Sequence, residues 1–192
     1  MKIIKIFTLS MFLIFSITLF SQSISNLGVG YGKINELNFE NFYDGLFINN
    51  EYNSIHGFFD IKLPQSNFIT KISANFNSFD DNNAYESLIK EQLSTDVGFG
   101  LIIFNKKRIQ FPIYECIGYS SFKIENVRYY GYSLSFNPTM KLYISNTIGI
   151  YLNYNNYIFL INKRGESILE NEYKGKGSNI SIGLFFSIYN KK

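Results

Sequence analysis

Apolar and polar residues alternate with period two in eight segments, and no window after Phe20 sustains a helical stripe. That pattern predicts an all-β chain: a closed, eight-stranded, antiparallel up-and-down transmembrane β-barrel. Two further observations support the prediction. The first is an N-terminus built like an export signal, with Lys2 and Lys5, an uncharged run from Ile6 to Phe20, and the small cleavage-prone stretch Ser21-Gln22-Ser23. The second is a rhythm of short and long connections between the segments. The uncharged run falls short of the roughly 20 residues a spanning helix needs. Residues 1–23 therefore read as a cleaved signal peptide, with an uncleaved anchor as the alternative, and 24–192 as one barrel domain.

The elements follow in order. Leu27, Val29 and Tyr31 alternate with Gly28, Gly30 and Gly32. In the second segment Ile55, Phe59, Ile61 and Leu63 oppose His56, Asp60 and Lys62. Phe68, Ile72, Ala74 and Phe76 then oppose Lys71, Ser73, Asn75 and Asn77. The fourth and fifth segments carry Val97, Phe99, Leu101 and Ile103, then Ile109, Phe111, Ile113, Ile117 and Tyr119. The sixth is the most regular. Tyr130, Tyr132, Leu134, Phe136, Pro138, Met140, Leu142 and Ile144 make one apolar row, and Gly131, Ser133, Ser135, Asn137, Thr139, Lys141, Tyr143 and Ser145 the other. Such a strand has one side in hydrocarbon and one side wet. Ile148 to Leu160 and Ile180 to Ile188 supply the last two segments.

Three connections are short: Pro64–Asn67, Asn105–Lys107 and Ser145-Asn146. Three are long: Ile34–Asn53, Asp80–Ser94 with a short helical turn, and Asn162–Gly177; one near Lys123–Asn126 is moderate. Short turns on one side and long loops on the other are the pattern of an outer-membrane barrel, and an even strand count puts both chain ends on the periplasmic side.

Composition narrows the chemistry. The chain has 18 Lys+Arg against 15 Asp+Glu, and two of the lysines lie in the leader, which leaves 16 against 15. That balance argues against nucleic acid as a partner. Cys116 is the single cysteine and His56 the single histidine, so an internal disulfide, a cysteine metal cluster and a multi-histidine zinc site are excluded, and no cofactor is implied.

The leader, the glycine-punctuated VGFGLIIFNKKRIQFPIYECIGYSSF, the following KLYISNTIGIYLNYN and the terminal SNISIGLFFSIY together resemble the small eight-stranded outer-membrane β-barrels of the OmpA and OmpX type, in the form common in Bacteroidetes. Such barrels usually finish on an aromatic residue, whereas here Tyr189 is followed by Asn190-Lys191-Lys192. The resemblance implies a Gram-negative outer-membrane protein in contact with the bilayer and lipopolysaccharide, and a monomer.

Eight strands leave an interior just wide enough for side chains to fill. Asp60, Lys62, Lys71, Arg108 and Lys141 are expected to form a packed, ion-paired lumen rather than a channel, because buried charges must pair. Strict alternation aims Glu115 at lipid. A bulge at Pro112 that turns Glu115 inward is the preferred reading, and a register nearer the rim the alternative.

Some barrels of this size are lipid A enzymes that use a serine, a histidine and a carboxylate. Ser54 and His56 share a face, but Asp60 lies roughly 13 Å along the strand, too far to orient the ring. His56 is therefore expected to be a residue of a polar rim, and the protein not to be an enzyme. The segment 34–53 carries Phe39, Phe42, Tyr43 and Phe47, which either cap the barrel or offer a contact surface to an envelope or extracellular protein. The sequence thus predicts a non-enzymatic barrel that presents loops for envelope structure, adhesion or docking. A lipid-modifying enzyme and a soluble lipid-carrying barrel are its alternatives.

Overall fold

A computed structural model describes residues 24–40, 47–48, 52–63, 66–78, 89–124 and 126–189. The leader lies outside these residues. Eight long strands close into a ring: β1 (Ile24–Glu40), β3 (Tyr52–Lys62), β4 (Phe68–Ser78), β5 (Ile89–Lys106), β6 (Ile109–Ile124), β7 (Val127–Tyr143), β8 (Ile148–Arg164) and β9 (Ser167–Tyr189). A two-residue strand β2 (Phe47–Ile48) adds to the upper part of β1. Every neighbouring pair is antiparallel, and β1 pairs with β9 from Ile24↔Tyr189 to Glu40↔Lys174 to shut the barrel. Closure leaves no long edge strand, as a sheet in hydrocarbon requires.

Below, we call the end bearing Ile24 and Tyr189 the lower end. Its turns are as short as the sequence predicts. In the β7–β8 turn, Ser145 Oγ accepts hydrogen bonds from the backbone N–H of Thr147 (3.2 Å) and Ile148 (3.1 Å), so the serine side chain satisfies turn donors that have no strand partner.

The upper end differs from the expected long loops. Residues 162–164 and 167–177 continue β8 and β9, and 89–94 belong to β5. The moderate connection after Lys123 is tight, because β6 runs to Ile124 and β7 starts at Val127. Extending the hairpins upward pairs backbone groups that a loose loop would leave to water. Gly165 makes the β8–β9 reversal with φ of 59°, a left-handed conformation that glycine adopts without steric cost, and its N–H reaches Arg128 O at 2.7 Å. The helical turn expected within 80–94 falls largely on 79–88, outside the described residues; from Ile89 onward the chain is strand.

Alternation settles the two faces. Leu27, Val29, Tyr31, Ile72, Val97, Phe99, Ile117, Leu134 and Ile182 point outward and are exposed, while Asn26, His56, Asp60, Lys71, Asn75, Asp96, Lys141 and Asn153 are buried inside. The barrel is thus polar within and apolar without, which matches a bilayer as solvent.

Candidate functional site

The lumen is stacked in layers. Near the lower end Asp60 on β3 is the hub. Register places Asn26, Asp60 and Lys71 side by side on β1, β3 and β4. Asn26 Nδ2 donates to Asp60 Oδ1 at 2.7 Å, and Tyr114 Oη donates to Oδ2 at 2.8 Å. Lys141 reaches across from β7 to form an ion pair with Oδ2. The buried carboxylate therefore has three donors. Ser187 Oγ in turn donates to Asn26 Oδ1 at 2.6 Å. Lys71 sits over the Tyr114 ring at 4.9 Å and the Phe58 ring at 5.8 Å, and donates to Asn153 Oδ1 at 3.4 Å. Rings of Phe58 (5.0 Å) and Phe185 (5.7 Å) also face the Lys141 ammonium. These aromatic faces offer the two cations a second, electrostatically favourable neighbour.

Two of the five residues expected in the lumen network stand elsewhere. Arg108 is exposed in the β5–β6 turn, and Lys62 is half-buried at the lower rim. There Lys62, Lys106 and Lys107 line a recess of about 230 Å³ with Asn105, Gln110 and Tyr143. Strand ends are short of neighbours, so long cationic side chains there turn toward water instead of into the lumen. Sequence reasoning missed Asn26 and Tyr114; their only signal was inward parity on either side of Asp60.

Above the charged layer lies His56. Its Nδ1 is 2.9 Å from Tyr151 Oη, and its ring stacks on Phe58 with centroids 5.6 Å apart. Ser54 Oγ, on the same face, is buried without a protein partner, so it makes no hydrogen bond to the histidine. Asp60 is committed to Lys141, and Asp96 accepts from Ser133 at 3.3 Å. The described residues thus hold no nucleophile–base–acid chain. Nor do they hold a group of three or more His, Cys, Asp and Glu that could ligate a metal.

The upper lumen is closed by an apolar plug, which for Phe39 matches the capping alternative of the two sequence readings. Ile34, Leu37, Phe39, Ile89, Phe122, Ile124, Tyr129, Tyr157, Phe159 and Ile161 pack there and are buried. Phe39, Phe122 and Phe159 meet in a triangle with centroids 4.7–5.3 Å apart. Phe39, expected on an exposed loop, is therefore core rather than contact surface. Its strand continues upward as inward parity dictates, and the ring fills the barrel mouth. Phe42 and Tyr43 lie outside the described residues, as does the side chain of Phe47.

Glu115 also departs from the preferred expectation. It is exposed on the outer face, between Ile113 and Ile117. A bulge does occur beside Pro112, but the extra residue is Ile103 on β5, between the pairs Ile102↔Pro112 and Phe104↔Phe111. The facing strand absorbs the irregularity that proline creates, so β6 keeps its parity.

Polar lumen, apolar girdle and closed antiparallel ring define a small outer-membrane-type β-barrel. Solved structures agree on that fold. The attachment invasion locus protein Ail of Yersinia pestis is similar over 87% of this chain and 99% of that one, with TM-score 0.52 and 11% identity. Neisserial surface protein A is similar over 86% and 97%, with TM-score 0.57 and 6% identity. OprG from Pseudomonas aeruginosa is similar over 88% and 97%, with TM-score 0.55 and 10% identity. No protein-family model matches the chain. No curated protein matches it in sequence.

Proposed function

We propose that this chain is a non-enzymatic barrel of the Gram-negative outer membrane, exported by cleavage of residues 1–23, which holds its upper hairpins and loops out for envelope structure, adhesion or docking. The observation that carries the reading is the commitment of the lumen's reactive groups. His56 gives Nδ1 to Tyr151 and its ring face to Phe58, while Nε2 and Ser54 Oγ are buried with no bond to each other, and Asp60 is taken by Lys141, Tyr114 and Asn26. What remains is a rigid support whose plugged upper part lifts β8 and β9 to the Gly165 turn. The resemblance to the Bacteroidetes form, and bilayer and lipopolysaccharide contact by the outer face, belong to the same proposal. Two of the structural neighbours are described as an attachment invasion protein and a surface protein, roles that a barrel lifting its loops can serve. A soluble lipid carrier would need a dry interior, and buried Asp60, Lys71 and Lys141 argue against one.

The test is to fractionate cells producing the full chain, compare gel migration before and after boiling, and record lipid A mass spectra with wild type and His56→Ala. Recovery in the outer-membrane fraction with heat-modifiable migration and unchanged lipid A is the expected result. An acyl-chain change that wild type produces and His56→Ala abolishes would replace the reading with a lipid-modifying enzyme.

A further inference from the structure

The three lower turns are not alike. The β3–β4 and β7–β8 turns carry no charged residue, whereas the β5–β6 hairpin ends in Lys106-Lys107-Arg108, all exposed, with Lys107-Arg108 as its two-residue turn. Tight hairpin turns favour Asn, Asp and Gly, so turn chemistry does not call for this triplet. Ion pairing does not call for it either. The ion pairs among the described residues use Glu36, Asp60 and Glu91, and of these only Asp60 stands near the lower end, buried and held by Lys141. Below Asp60 and Glu115 the described residues include no acid, while Lys62 adds a fourth cation at the same rim. The upper end, by contrast, mixes Lys163, Lys174 and Lys176 with Glu166 and Glu172.

The same hairpin end has an apolar shoulder directly above its charges. β4 pairs with β5 only as far as Phe68↔Leu101, so from Ile103 to Lys106 β5 has β6 alone beside it. The bulge leaves Ile103 and Phe104 exposed in succession, where strict alternation would expose one, and Ile109 is exposed across the hairpin. Lys106 Nζ lies 5.3 Å from the centroid of the Phe104 ring, which sets an ammonium where the shoulder meets the turn. An apolar surface that ends in cations has the two chemistries of an anionic lipid, acyl chain and phosphodiester. We propose that this hairpin end binds an anionic phospholipid of the leaflet it faces. The acyl chains lie along Ile103, Phe104 and Ile109, and the phosphate is held among Lys106, Lys107 and Arg108, where the guanidinium fork can take two of its oxygens. A zwitterionic headgroup fits less well, because its own ammonium needs an acceptor carboxylate and this rim offers none. The inference rests on the outer-membrane reading, in which the lower end is periplasmic.

The experiment folds the full chain into discs of phosphatidylglycerol and phosphatidylcholine with identical acyl chains, and counts the lipids retained by native mass spectrometry. Wild type should prefer phosphatidylglycerol by about tenfold or more. Lys106→Gln, Lys107→Gln and Arg108→Gln should each lower that preference by up to about fivefold, the equivalent of about 1 kcal/mol per cation at an anionic surface. The triple variant should bring it to parity. Removing the same charge from the upper end, with Lys163→Gln, Lys174→Gln and Lys176→Gln together, should leave the preference within about twofold. Phe104→Ser should weaken retention of phosphatidylglycerol, because it removes the acyl contact and the ring under Lys106. Heat-modifiable migration checks that every variant folds. A wild type that retains both lipids equally overturns the proposal, as does a lower-rim triple variant that keeps the preference. Displacement of the lipid by soluble glycerol 3-phosphate at millimolar concentration would overturn it too and assign the cations to a free phosphate. A barrel that fractionates with the outer membrane yet shows no preference fails this inference alone. Recovery in the soluble fraction fails the reading beneath it as well.

Discussion

Asp60 shows how a charge can persist inside a narrow barrel. Its two oxygens accept from Asn26, Tyr114 and Lys141, so lone pairs and net charge are both compensated. Desolvation is severe at such a place, and a buried pair of this kind gives little net stability relative to a well-packed apolar pair. Removing one partner is a different matter, since the other charge is left without compensation. Asp60→Ala should therefore lower unfolding free energy by about 3–5 kcal/mol, and the double variant Asp60→Asn with Lys141→Met should recover most of that loss. Urea titration of protein folded into vesicles measures both, and a double variant no better than the single would show that the pair is not the source of the cost. Gly175 illustrates a second constraint at this scale. A Cβ there would fall 2.2 Å from the Phe159 ring and 2.7 Å from Asn38 O, so only glycine lets β9 pass the plug.

At the scale of the strand, parity decides what a substitution does. Leu134 and Ser135 are neighbours on β7, one exposed to lipid and the other buried and accepting a hydrogen bond from Asn137 Nδ2 at 2.8 Å. Leu134→Arg should cost about 2–4 kcal/mol near the bilayer midplane, and Ser135→Ala about 1 kcal/mol, the worth of one modest hydrogen bond. Parallel urea titrations check the contrast; equal losses would mean that the faces are reversed. The same parity explains what could be read from the sequence. Strand number, face assignment and lower turns were legible, because in-out alternation with a lipid outside and water-like side chains inside is a strong local signal. The Asp60–Lys141 pair was legible only as a set of inward charges, since its partners lie 81 residues apart and strand stagger decides which meet. Arg108 and Lys62 were misplaced because parity says nothing of where a strand leaves the lumen. The upper parts of β5, β8 and β9, expected as loops, were missed for the opposite reason. Once Phe39, Phe122 and Phe159 turn inward, both faces of a strand no longer differ in polarity, and alternation ceases to mark it as one.

The whole molecule is a barrel with two kinds of interior stacked along one axis. In the lower part the outside is apolar and the inside charged; in the upper part the inside is an apolar cluster of the sort a water-soluble domain uses. The change implies that the upper strands rise beyond the hydrocarbon, where water outside makes burial within favourable. Two seals then lie in series across the lumen: the plug of Phe39, Phe122 and Phe159, and the layer of Phe58, Tyr143, Tyr151 and Phe185 with the Asp60–Lys141 pair packed against it. Phe159→Ala should destabilise the barrel by about 3–5 kcal/mol, as truncation of a fully buried ring does in a soluble core. Because the lower seal is independent of that ring, planar-bilayer recordings of wild type and of Phe122→Ala with Phe159→Ala should both lack steady ohmic steps. Sustained conductance in the double variant alone would make the plug the only barrier. Conductance in wild type would mean that the lumen is a pore, and that its charges line a path instead of locking the strands together.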